Sequence, residues 1–183
     1  MAIRTLTDPW SVGPATLPAN SDMQETRRKK IRLPKDVYAT PNQVFSITIC
    51  TKDRRPLFTN HEWSKDVLET LSTGSFGQET ECLAYCLMPD HLHLAIASKG
   101  QNLMLLINRW KSYTANLLRK KGLEGGCWQR SFYDHALRQE EDILAIAEYI
   151  VQNPVRSGLV KEWAEYPFSW HKWMKAAAVG CPT

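Results

Sequence analysis

Tyr85-Cys86-Leu87-Met88-Pro89-Asp90-His91-Leu92-His93-Leu94-Ala95-Ile96-Ala97 reads as an apolar strand, a tight Pro-Asp turn and a second apolar strand opening on two histidines. Side chains along a strand alternate faces, so His91 and His93 project together while Leu92, Leu94 and Ile96 turn to the core. Two neighbouring imidazoles on a rigid strand supply two of the ligands of a metal site. By itself such a pair is more often surface or hydrogen-bonded histidines, so the rest of the chain must decide. Cys82 and Cys86 fall four residues apart on the first strand, on the same face of it.

Working outward, Val44-Phe45-Ser46-Ile47-Thr48-Ile49-Cys50 is a β-branched alternating run and predicts a strand before the hairpin. Between them, His61 to about Ser75 has helical spacing, with Trp63, Val67, Leu68 and Leu71 on one side and glycines ending it. After the hairpin, Gln101 to Lys121 predicts the longest helix, its stripe formed by Leu103, Leu106, Ile107, Trp110, Thr114, Leu117 and Leu118. Lys111 falls outside that stripe and Tyr113 at its edge, in a packing position. A further strand is predicted around Phe132–Leu137, with Asp134 and His135 as a surface pair. Glu140-Glu141-Asp142 then puts negative charge at the start of a last helix, which carries Ile143, Ile146, Ala147 and Ile150 and ends at Asn153-Pro154. The order β-α-β-β-α-β followed by a helix is the split β-α-β, ferredoxin-like α+β pattern. It predicts a four- to five-stranded antiparallel sheet with helices on one face, plus a C-terminal helix.

The 183 residues, 43% hydrophobic and 23% charged, suit one globular domain. Its expected limits are 29–171, between a basic, disordered arm over 1–28 and a tail over 172–183. Neither a bilayer-length apolar run nor a secretion signal is visible, and the five cysteines lack Cys-x-x-Cys spacing, so free thiols in a cytoplasmic protein are expected. Net charge is only +4, but the cations cluster: Arg27, Arg28, Lys29, Lys30 and Arg32 in the arm, and Lys52, Arg54 and Arg55 after the first strand. These are the candidate phosphate contacts.

On the last helix Tyr149 and Asn153 stand at i and i+4, on the shoulder of its apolar face. Asn offers a carbonyl oxygen that a hard cation accepts, and Tyr a hydroxyl nucleophile. The spacing equally fits a half-buried aromatic and a helix-terminal Asn. Three segments bear on this choice: Met88-Pro89-Asp90-His91-Leu92-His93, Trp128-Gln129-Arg130-Ser131-Phe132-Tyr133-Asp134-His135, and Glu148-Tyr149-Ile150-Val151-Gln152-Asn153-Pro154-Val155-Arg156-Ser157-Gly158-Leu159-Val160. Together, and in this order, they resemble the REP-associated tyrosine transposases, domesticated relatives of single-tyrosine insertion-sequence transposases with a His-hydrophobic-His motif. The likeness runs from about Lys29 to Trp170.

The resemblance implies a metal-dependent endonuclease and strand transferase for single-stranded DNA at palindromic hairpin repeats, acting in the cytoplasm at the nucleoid. His91, His93 and Asn153 would hold Mg²⁺ or Mn²⁺, and Tyr149 would be the nucleophile, giving a 5′-phosphotyrosine and a free 3′-OH. A monomer is favoured over a dimer. The rival readings are a DNA-hairpin-binding module with a vestigial metal site and, more remotely, a hydrolase of small phosphate esters.

Overall fold

The computed structural model describes residues 36–138 and 142–173, all within the unit Arg32–Thr183. The arm residues Arg27, Arg28, Lys29, Lys30 and Arg32, the acidic pair Glu140 and Glu141, and the tail from 174 onward lie outside the described residues.

Strand β1 (Val44–Cys50) buries Phe45, Ile47 and Ile49 and leaves Ser46 and Thr48 half-exposed, as its alternation requires. It pairs antiparallel with β3 (His91–Ser98), which pairs with β2 (Thr80–Met88) as the hairpin expected from Pro89-Asp90. Two-residue hairpin loops usually take left-handed backbone angles, yet neither Pro89 nor Asp90 has a positive φ. Outside donors hold the turn instead. The Thr51 amide and hydroxyl both donate to the Asp90 carbonyl, at 2.9 and 3.0 Å, and the Phe58 amide donates to that of Pro89 at 2.9 Å. With β4 (Tyr133–Ala136) and β5 (Ser169–His171) the sheet has five strands in the order β4-β1-β3-β2-β5, all antiparallel.

Helices α1 (His61–Glu69), α2 (Gly74–Glu79) and α3 (Leu103–Lys120) bury their apolar stripes against the face formed by Phe45, Ile47, Ile49, Leu92, Leu94 and Ile96. Asn60 caps α1 by accepting from the Glu62 and Trp63 amides, and Asn102 caps α3 by accepting from that of Leu105. The single helix expected over 61–75 is two. A Cβ on Gly77 would stand 2.4 Å from the Ser72 carbonyl oxygen, so the close return of the chain into α2 requires glycine there. Thr114, in the α3 stripe, accepts from the buried Trp128 indole at 2.9 Å.

Helix α4 (Ile143–Val151) packs across β2, β3 and β5. Its Ala147 and Ile150 meet Leu83, Ala84, Cys86, Met88 and Ala95 on the sheet face opposite α1–α3. The same-face reading of Cys82 and Cys86 fails at an irregularity in β2. Cys82 pairs with Ile96 and Ala84 with Ala95, so Leu83 is an extra residue that reverses the parity. Cys82 therefore packs with the α1–α3 core and Cys86 beneath α4.

Candidate active site

His93 pairs across the sheet with Thr48 on one side and Cys86 on the other, and His91 with Cys50 and Met88. Paired residues share a face, so both imidazoles stand on the side that α4 partly covers. Their ring centroids are 4.7 Å apart, near-perpendicular at 83°. Each Nδ1 is engaged: that of His91 lies 2.5 Å from Asp90 Oδ1, and that of His93 lies 3.0 Å from Thr48 Oγ1. A carboxylate only accepts, so His91 donates from Nδ1, and a neutral ring then carries its lone pair on Nε2. Burial pushes the His91 pKa below the ordinary imidazole value, against the opposing hydrogen bond and charge of Asp90, which keeps the ring neutral at pH 7. Asp90 is held from its other oxygen by Arg54 Nη1 at 3.2 Å. A hydrogen-bonded Nδ1 and a neutral Nε2 are what a metal-binding histidine requires.

The second half of the site follows from Pro154. A proline has no N–H, so Ile150 O, four residues back, lacks its helical donor. Asn153 Nδ2 donates to it at 2.9 Å and stands 3.4 Å from Tyr149 O. Helix α4 therefore stops at Val151, short of the expected end, and Asn153 opens α5 (Asn153–Arg156). The Asn153 nitrogen is thereby committed to the helix end. Asp142 caps α4 by accepting from the Leu144 amide at 2.8 Å. Tyr149, on the α4 shoulder, is 37% exposed, and the Arg156 guanidinium lies 3.8 Å from its ring centroid.

Among the described residues, no three side chains from His, Cys, Asp and Glu cluster to hold a metal on their own. The IS200-like transposase family model matches residues 40–153, which takes in the histidine pair, Tyr149 and Asn153. The chain belongs to this family.

Among IS200-like relatives, a REP-associated tyrosine transposase of Haemophilus influenzae is 32% identical over 109 residues, 52% of this chain and 62% of that protein. One from Escherichia coli is 32% identical over 89 residues, 49% of this chain and 53% of that protein. The matches thus span about half to three fifths of the length of these relatives. A solved REP-associated tyrosine transposase bound to a REP hairpin superposes with a TM-score of 0.59 at 24% identity, covering 72% of this chain and 78% of that one. That likeness shows the shared fold. No described helix is long and apolar enough to cross a membrane.

For an IS200-like chain, several side chains sit where the sequence did not place them. Lys111 is buried rather than outside the α3 stripe, its Nζ donating to the carbonyls of Gln129 and Arg130 at 2.6 and 3.0 Å. Tyr113 is 60% exposed, so its role is not packing. Asp134 and His135 face opposite ways: Asp134 accepts from the buried Tyr38 hydroxyl, while His135 pairs with Ser46 on the histidine face. Of the basic loop, Arg54 holds Asp90 and Arg55 Nη1 donates to Glu124 O at 2.9 Å, while Lys52 packs against Gly126. Thr48, Asp90 and Arg156 are the residues sequence reasoning missed. Only Asp90, beside His91 in the turn, carried a signal that could have found it.

Proposed function

We propose that this chain cleaves and rejoins single-stranded DNA at palindromic hairpin repeats through a covalent tyrosine intermediate. The observation that carries the reading is the pair of imidazoles with both Nδ1 atoms engaged, on the sheet face that α4, the helix carrying Tyr149, partly covers. The hairpin as substrate follows the REP-associated relatives and the hairpin-bound structure that this fold matches.

His91 and His93 would hold a divalent cation, magnesium or manganese, through Nε2, with Asn153 Oδ1 as the third protein ligand. Such a cation supplies Lewis-acid polarisation of a phosphoryl oxygen. Tyr149 Oη attacks the phosphorus and the bond to the departing 3′ oxygen breaks. The phenol proton leaves to solvent, and the 3′ oxygen takes up a proton as 3′-OH. The 5′-phosphotyrosine so formed retains the phosphodiester's energy, so the 3′-OH of another strand can reverse the step without a nucleotide cofactor. Asn153 acts twice, because the amide that fills the Ile150 carbonyl also fixes its position one turn from Tyr149. Lys52, Arg54 and Arg55, with Arg27, Arg28, Lys29, Lys30 and Arg32 of the arm, are proposed phosphate contacts. Arg54 would exchange part of its hold on Asp90 for a phosphate oxygen.

The test is incubation of a 3′-labelled hairpin oligonucleotide bearing a single-stranded flank with the full chain and Mn²⁺, followed by denaturing electrophoresis. A protein–DNA adduct that needs Mn²⁺ and vanishes in Tyr149→Phe is expected. Tight hairpin binding with no adduct under any divalent cation would instead mark a binding module.

A further inference from the structure

The proposed chemistry leaves one well-placed cation unused. Arg156, at the end of α5, is exposed, yet two interactions fix it on a single residue. Its guanidinium lies 3.8 Å from the Tyr149 ring centroid, and its Nη2 donates to Tyr149 O at 2.9 Å. That carbonyl has lost its regular helical donor where α4 breaks before Pro154, so the break that frees Asn153 also creates the acceptor that seats Arg156. Among the described residues no carboxylate pairs with Arg156.

A guanidinium can stack its plane on an aromatic face while its edge N–H groups remain to bind a phosphate, a combination an ammonium cannot match.

We infer that Arg156 is a positioning residue for the strand-transfer step: it clamps the Tyr149 ring and offers its remaining N–H donors to a non-bridging oxygen of the phosphate under attack. This rests on Tyr149 being the nucleophile. It accounts for an exposed arginine restrained at both its stacking face and its edge, which surface solvation does not require.

The test uses the full chain as Arg156→Ala and Arg156→Lys beside Tyr149→Phe, with two readouts. In single-turnover adduct formation with the hairpin oligonucleotide and Mn²⁺, Arg156→Ala is expected to lower the maximal rate about 100-fold, as for a misplaced reacting group. The half-saturating DNA concentration should change far less. Arg156→Lys should recover only a small part of the rate, because it restores charge but not the stacked plane. The second readout is ¹⁹F NMR of fluorotyrosine-labelled, DNA-free protein, with the Tyr149 resonance assigned by its absence in Tyr149→Phe. That resonance should move in both Arg156 variants while the other tyrosines stay in place, which also shows that the fold is intact. An unmoved resonance would overturn the clamp whatever the chemistry does. A wild-type rate in Arg156→Ala, in a protein whose adduct is lost in Tyr149→Phe, would overturn the catalytic part alone. An adduct that persists in Tyr149→Phe would instead overturn the nucleophile assignment and the proposal with it.

Discussion

Replacing Asp90 by alanine removes the 2.5 Å acceptor of His91 Nδ1 and the partner of Arg54 in one step. The turn itself should survive, because Thr51 and Phe58 hold it through the backbone carbonyls of Asp90 and Pro89, which alanine keeps at position 90. What is lost is the orientation and tautomer of one of the two rings proposed to hold the cation. Loss of such an outer partner costs about 10–100-fold in metal affinity, equivalent to about 1.4–2.7 kcal/mol. Thr48→Val removes the corresponding partner of His93 with little change of shape, and the same range applies. Its hydroxyl is a weaker acceptor than a carboxylate, so its effect should lie at the lower end. The assay is calorimetric titration of the DNA-free full chain with Mn²⁺, with thermal melts as the control for folding. Asp90 is a surface side chain, 29% exposed, so a melting shift of only a few degrees is expected. Wild-type Mn²⁺ affinity in both variants, with the fold intact, would refute the argument that these Nδ1 contacts prepare Nε2 for a cation.

Asn153→Ala should weaken Mn²⁺ binding and also cost about 1–2 kcal/mol in denaturant unfolding, because Ile150 O loses its donor. A stability loss with unchanged Mn²⁺ affinity would leave Asn153 a purely structural cap. Burial pushes the Cys86 and Cys127 thiols up to about 12, so iodoacetamide at pH 8 should label them only once the chain is unfolded. The unfolded thiols release protons near pH 9 and the folded ones only near 12. Their contribution should therefore lower stability as pH rises through that window, read as a falling urea midpoint that a Cys→Ala comparison isolates. Lys111→Met should destabilise the fold by about 1–3 kcal/mol, since the carbonyls of Gln129 and Arg130 lose their donor. An unchanged urea midpoint would show that Lys111 does not pin the segment leading into β4.

The sheet was legible because its strands are short, apolar and alternating, and the hairpin's register follows from a two-residue turn. The histidine pair was legible for the same reason, since alternation alone puts His91 and His93 on one face. Parity arguments failed where the backbone broke its own period: the extra Leu83 separates Cys82 from Cys86, and periodicity cannot see a bulge. Lys111 was misread because a helical wheel ranks side chains by polarity, whereas a buried ammonium is tolerated when carbonyls meet it. Tyr113 was misread because an amphipathic aromatic at a stripe's edge turns either way, and only tertiary contacts decide. The spacing of Tyr149 and Asn153 was visible, but the reason for it was not. It lies in the carbonyls left open where α4 breaks before Pro154, which Asn153 and Arg156 fill from the side-chain level. Three-dimensional partners such as Thr48, distant in sequence from His93, leave no local mark at all.

The central claim is that Tyr149 becomes joined to DNA, and peptide mapping of the adduct tests it most directly. Full chain is incubated with the hairpin oligonucleotide and Mn²⁺, digested with protease and nuclease, and the nucleotide-bearing peptide sequenced by mass spectrometry. The account predicts a 5′-phosphonucleotide on Tyr149, although Tyr113 and Tyr133, at 60% and 65% exposure, are the more accessible phenols. A nucleotide found on Tyr113 or Tyr133, or on no tyrosine while the DNA is nonetheless cut, would contradict it.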